Sequence, residues 1–131
     1  MPGWGTGSFE NDDAQDFLGE LASLTIDELK QKLAYAAEHE GYLEARESSV
    51  VVATAEVVAT AKGAPPVNVP PAIAEWVSKV EGTPSHEMSD LARRAVKRVR
   101  SNSELKDLWQ EAEGLNDWSA SLRDLEERLG A

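Results

Sequence analysis

The chain has no cysteine. That excludes disulfides, thiolate zinc sites and cysteine nucleophiles, and it suits a reducing cytoplasm. Long apolar runs are also missing. The longest, residues 50–61, is broken by Thr54, Glu56 and Thr60, and a membrane span needs about 20 apolar residues. No basic segment followed by an apolar run opens the sequence, so no signal peptide is expected. A soluble, cytoplasmic protein without a membrane partner is the expectation.

Catalytic patterns are equally scarce. The two histidines lack the Glu-x-x-His spacing of di-iron bundles: Ala36 stands three before His39, and Thr83 three before His86. The serines lack a Gly-x-Ser-x-Gly setting. Gly5-x-Gly7 has neither a preceding strand nor the third glycine of a dinucleotide fingerprint, and residues 82–85 hold no P-loop. No residue is therefore assigned as catalytic, cofactor-binding or metal-ligating. No cofactor is expected, and the balance leans away from an enzyme.

Cations are in short supply. Thirteen basic residues face 24 acidic ones, for a net charge of −11. Residues 1–47 carry 11 acidic and 3 basic residues, while residues 85–102 carry 2 acidic and 5 basic ones. Such a surface repels nucleic acid and anionic membranes at long range and attracts basic partners.

What is present is helical periodicity. Ala14, Phe17, Leu18 and Leu21 share one face of a helix over 12–21, with Asn11 as its N-cap. Thr25 and Glu28 form a capping box before a helix over 26–40. A third helix is predicted over 43–62, and its middle, VVVATAEVVATA, is apolar all round, as in a helix buried among others. Residues 64–71, APPVNVPP, read as an extended loop, and Pro71 opens a fourth helix. Thr83-Pro84 is expected to cap a fifth helix reaching Arg100. Ser103 caps a sixth and Asn116 a seventh. The prediction is one all-α domain over 1–131, of six to seven helices around a central apolar one. Residues 1–10 form a glycine- and aromatic-rich leader, with Trp4 and Phe9 as anchors docked on the core.

Several stretches together resemble one family. Trp4-Gly5-Thr6-Gly7-Ser8-Phe9-Glu10-Asn11-Asp12-Asp13-Ala14 is similar to the opening of the proteins grouped as domain of unknown function 4259. Tyr42-Leu43-Glu44-Ala45, Ala55-Glu56-Val57-Val58-Ala59, Ser103-Glu104-Leu105-Lys106-Asp107-Leu108-Trp109, Trp118 and Asp124-Leu125-Glu126-Glu127-Arg128-Leu129 follow in order. The resemblance implies a small, mainly prokaryotic domain and brings no catalytic residues.

Six residues are singled out as interaction or structural-polar candidates: Trp4, Asn11, Asp12, Asp13, Glu56 and Arg94. Glu56 lies within the most apolar segment, where a carboxylate must be paired or hydrogen-bonded. Backbone N–H groups of the leader, Arg46 or Arg94 are its expected partners; a general base or metal ligand is the functional alternative. Glu10, Asp12, Asp13 and Asp16 suit a helix N-terminus and lack the calcium-loop pattern. Arg93, Arg94, Lys97, Arg98 and Arg100 give the fifth helix a basic face, expected to pair internally with acidic helices. The tryptophans are expected in the core. Three functions remain open, in order. The first is a protein-interaction module whose acidic faces meet a basic partner, an immunity- or antitoxin-type role being one version. The second is a metal- or small-ligand-binding domain using the N-terminal carboxylates and Glu56. The third is nucleic-acid binding through residues 85–100. The oligomeric state is not legible.

Overall fold

A computed structural model describes residues 7–80 and 83–130. Seven α-helices follow in order among them: α1 (Asp12–Glu20), α2 (Ile26–Glu38), α3 (Ala45–Ala61), α4 (Pro71–Lys79), α5 (His86–Ser101), α6 (Glu104–Glu111) and α7 (Leu115–Gly130). A single 3-10 turn, Leu21–Ser23, follows α1. No strand occurs among the described residues, and the fold is an all-α single domain.

α3 is the axis of the packing. It touches every other helix, and all its residues from Ser48 to Ala59 except Val50 are buried. Burial on all sides is what lets this β-branched run be helical. The low helix propensity of valine and threonine costs a few tenths of a kcal/mol per residue, whereas burying a valine side chain returns roughly 1.5–3 kcal/mol. Ala53, Ala55 and Ala59 are fully buried and let neighbouring helices approach. The polar side chains bond within the helix: Thr54 Oγ1 donates to the Val50 carbonyl at 2.7 Å and Thr60 Oγ1 to that of Glu56 at 2.9 Å. Around α3 the buried apolar side chains form one continuous cluster. The core stripes of α1, α2, α5, α6 and α7 all contribute to it, as do Trp76, Trp109 and Trp118. Trp4 lies outside the described residues.

The helix ends follow local chemistry. Asn11 Oδ1 accepts from Ala14 N at 2.8 Å and caps α1. Thr25 Oγ1 accepts from Glu28 N at 3.2 Å, and Glu28 Oε1 accepts from Thr25 N at 3.0 Å, which completes the capping box of α2. Thr25→Ala should therefore cost about 1 kcal/mol, read as a lower midpoint in urea unfolding with an unchanged slope.

Four boundaries differ from the periodicity by more than one residue or by their cap. α2 ends at Glu38 rather than Glu40, because His39 is already extended. α3 starts at Ala45 rather than Leu43: Glu44 and Glu47 cap it, and Leu43 is left buried outside the helix. Ser85, not Thr83-Pro84, caps α5, with its hydroxyl accepting from Met88 N at 3.0 Å. α7 starts at Leu115, ahead of Asn116, because Gly114 O already accepts from Trp118 N at 3.1 Å. Gly114 is needed there. A Cβ on it would sit 2.6 Å from the Trp109 ring, so the chain passes too close for any side chain.

Tertiary hydrogen bonds join the elements. Glu104 N donates to Leu43 O, and Ala45 N donates to Glu104 Oε1, both at 2.8 Å, so the starts of α3 and α6 lock together. Arg98 donates to the carbonyls of His39 and Gly41 and holds the α2–α3 connection onto α5. Tyr42 donates its hydroxyl to Asp107 Oδ2 at 2.8 Å.

That last bond has a pH consequence. Accepting from the phenol and lying beside its oxygen, the Asp107 carboxylate pushes the Tyr42 pKa up to about 12, against about 10 for a free tyrosine. A raised folded-state pKa means the contact stabilises fully below about pH 10 and is lost as pH rises through about 12. Ultraviolet titration of phenolate should show Tyr42 ionising late, and Asp107→Ala should return it towards the ordinary value.

Candidate functional site

Glu56 is the one charged side chain that is fully buried among the described residues, at 3% exposure. Its partner comes from the far end of the chain. Arg128, on α7, donates Nη1 to Glu56 Oε1 at 2.7 Å and Nη2 to Oε2 at 3.2 Å. This is the two-pronged geometry in which a guanidinium binds a carboxylate best. The same Arg128 donates Nε to Asp124 Oδ2 at 2.9 Å and Nη1 to Ala64 O at 3.3 Å. One guanidinium thus ties α3, α7 and the start of the proline loop together. Burial alone would pull the Arg128 pKa down, but the hydrogen bond and charge of Glu56 outweigh it, and the net shift is upward.

Arg46 and Arg94, the arginines expected to meet Glu56, do not. Arg94 Nε donates instead to Asp90 on its own helix at 3.2 Å, and its side chain is half exposed. Arg46 lies on the exposed first turn of α3. Glu56 makes no hydrogen bond to the described part of the leader, Gly7 to Glu10. The signal for Arg128 was nevertheless present. Asp124 and Arg128 stand four apart with the acid first, the favourable order on a helix. Arg128 also lies next to the buried Leu125 and Leu129.

The ion network lines an open cleft of about 700 Å³. One wall is Gly7 to Glu10 with Gln15 of α1; another is Pro66 to Pro71; the third is Ser121, Asp124 and Arg128 of α7. Gln15 Nε2 donates to Phe9 O at 2.8 Å and fixes the first wall. The acidic and basic side chains lining the cleft are Glu10, Glu56, Asp124 and Arg128, three acids against one base. Phe9, Val69 and the prolines supply apolar surface.

Beside the cleft runs the acidic side of α1. Asp12, Asp16 and Glu20 are exposed and Asp13 is half-buried. From Gly7 to Leu29 the chain holds seven carboxylates and no cation. None of the seven enters an ion pair among the described residues. No group of three or more acids or histidines among the described residues converges as a metal site. Glu10 and Glu56 line the same cleft, whereas Asp12 and Asp13 lie outside its walls.

The basic face of α5 is largely engaged. Arg100 binds Glu126 of α7 through Nε at 2.6 Å and Nη2 at 3.2 Å, and the hydrogen bond and charge of Glu126 raise its pKa against the effect of burial. Arg93 and Arg94 share Asp90, and Arg98 is held on two carbonyls. Lys97 alone on this face makes no such contact among the described residues.

A family model described as a domain of unknown function, DUF4259, matches residues 3–121. The chain belongs to the DUF4259 family. The match ends before Asp124 and Arg128, so the cation that neutralises Glu56 lies beyond the matched span. No curated protein and no solved structure matches the chain. No helix among the described residues is long and apolar enough to cross a membrane.

Proposed function

We propose that this DUF4259 protein is a protein-interaction module that receives a basic segment of a partner on α1 and the adjoining cleft. The observation carrying the reading is the uncompensated charge of residues 7–27, six carboxylates without a cation, beside a cleft that is itself net negative. Some acids elsewhere, Glu126, Asp90 and Glu75 among them, are matched by cations. Leaving like charges unmatched on one helix costs stability, because they repel one another. A cationic partner relieves that cost on binding. It also gains speed, since a one-signed surface steers an oppositely charged protein into encounter. The proline walls and Phe9 would accept the aliphatic stems of lysine or arginine, whose charged heads would reach Glu10 and Asp124. Masking a basic toxin, as an immunity protein or antitoxin does, is one role with this chemistry.

The test is affinity capture by the full chain, followed by binding measurements on whatever is retained, at low and high salt. A quadruple variant, Asp12→Asn, Asp13→Asn, Asp16→Asn and Glu20→Gln, serves as control, with its folding checked by circular dichroism. Salt-sensitive, saturable binding of a basic protein, with association slowed roughly tenfold or more in the variant, is the expected result. Partners that bind wild type and variant alike, indifferent to salt, would refute the reading.

A further inference from the structure

A second concavity lies between α2 and the first half of α3, away from the cleft. It encloses about 420 Å³ and is lined by Glu28, Gln31, Lys32, Tyr35, Arg46, Glu47, Val50 and Val51. That volume is within the usual size of small-molecule sites, about 300–1,000 Å³.

Its four charges sum to zero, in a protein of net charge −11, so it is a neutral island where an anion is not repelled. The two acids are already used. Glu28 accepts from Thr25 N at 3.0 Å and from Thr25 Oγ1 at 3.2 Å. Glu47 accepts from Glu44 N at 3.3 Å, and its carboxylate acts on the Tyr35 hydroxyl strongly enough to raise the Tyr35 pKa. The two cations are not used: among the described residues, neither Lys32 nor Arg46 makes a hydrogen bond or an ion pair. Apart from the neutral Gln31 amide, the donors of the groove without a partner are therefore cationic.

Tyr35 adds a flat apolar surface. Its ring is 46% exposed. It stacks on His39, with centroids 4.7 Å apart and planes at 25°. Val50 and Val51 complete an apolar lining. Buried Val51 and half-buried Val50 belong to α3, so this part of the groove is rigid.

We propose that the α2–α3 groove binds a small organic anion with a planar apolar body. Its carboxylate or phosphate is held by Lys32 and Arg46, and its body lies against Tyr35 and the two valines. Arginine suits either headgroup, because its fork matches two acceptor oxygens. The site is independent of the acidic surface on α1 and stands or falls separately from it.

Amide chemical-shift titration of the full chain tests this, with benzoate, phenyl phosphate and inorganic phosphate as probes. The aryl probes should give saturable shifts confined to the groove, at concentrations where inorganic phosphate does not saturate. Whichever aryl probe binds more tightly identifies the headgroup. Lys32→Gln with Arg46→Gln should weaken aryl binding by at least about tenfold, as loss of a charge-assisted hydrogen bond does. Tyr35→Ala should weaken it as well. All three substitutions are at exposed or half-buried positions, and an unchanged melting curve checks that folding survives. Three outcomes would overturn the proposal: no saturable shift, unaltered affinity in the double variant, or inorganic phosphate binding as tightly as the aryl probes.

Discussion

Glu56→Ala should lower the unfolding free energy by about 3–5 kcal/mol, the cost of breaking a buried ion pair by removing one partner. The alanine itself is harmless, since α3 is alanine-rich at its buried positions. The damage falls on Arg128, whose side chain is only 17% exposed and would keep Asp124 as its one ionic partner. For a domain of this size each kcal/mol moves the melting temperature by roughly 3–6 °C, so the variant should melt about 9 °C or more below wild type by that scale. Glu56→Gln should fall between, because an amide keeps one acceptor but no charge. Replacing the whole pair, as Glu56→Leu with Arg128→Met, should recover much of the loss, since apolar substitutes for buried ion pairs are often neutral or stabilising. Calorimetric melts of the four proteins check this. A single Glu56→Ala variant that melts with wild type would show that the pair contributes nothing.

Trp76→Ala is the other large effect, at about 3–5 kcal/mol. Trp76 is 8% exposed on α4 and lines a small gap shared with Leu29, Val57, Val58 and Met88, of only about 20 Å³. The space is nearly filled, so truncation leaves a cavity walled by α2, α3 and α5 that none of them can easily close. The indole also donates Nε1–H to Leu24 O at 3.0 Å, tying α4 to the turn before α2. Trp76→Phe separates the two contributions. It keeps most of the packing and orphans the carbonyl, so about 1–3 kcal/mol should be lost. Chemical unfolding of both variants reads the difference; equal losses would assign the whole effect to the hydrogen bond.

Acidic-helix neutralisation and ion-pair removal act on different quantities. The first should change association rate and salt dependence with little change in stability, because exposed charges contribute little to folding. The second should change stability at every salt concentration, because buried charges are weakly screened.

Much of the architecture is readable from residue order, because it depends on chemistry within a few residues. The caps at Asn11, Thr25 and Ser103 are local hydrogen bonds between a side chain and a backbone N–H three residues on. The all-round apolar character of α3 requires burial on every side, whichever helices supply it. The excess of carboxylates near the N-terminus and the lack of catalytic spacing are properties of composition and order alone.

Tertiary packing decided the rest, because it concerns residues far apart in the chain. That Glu56 needed a partner followed from its apolar neighbours. That the partner is Arg128, 72 residues away, depends on how α7 crosses α3, and no local pattern encodes a crossing. The docking of the α3 start on α6 is tertiary for the same reason: Glu104, on another helix, takes up Ala45 N. The cleft and the α2–α3 groove exist only because separate helices meet at particular angles, which set the distances between their side chains.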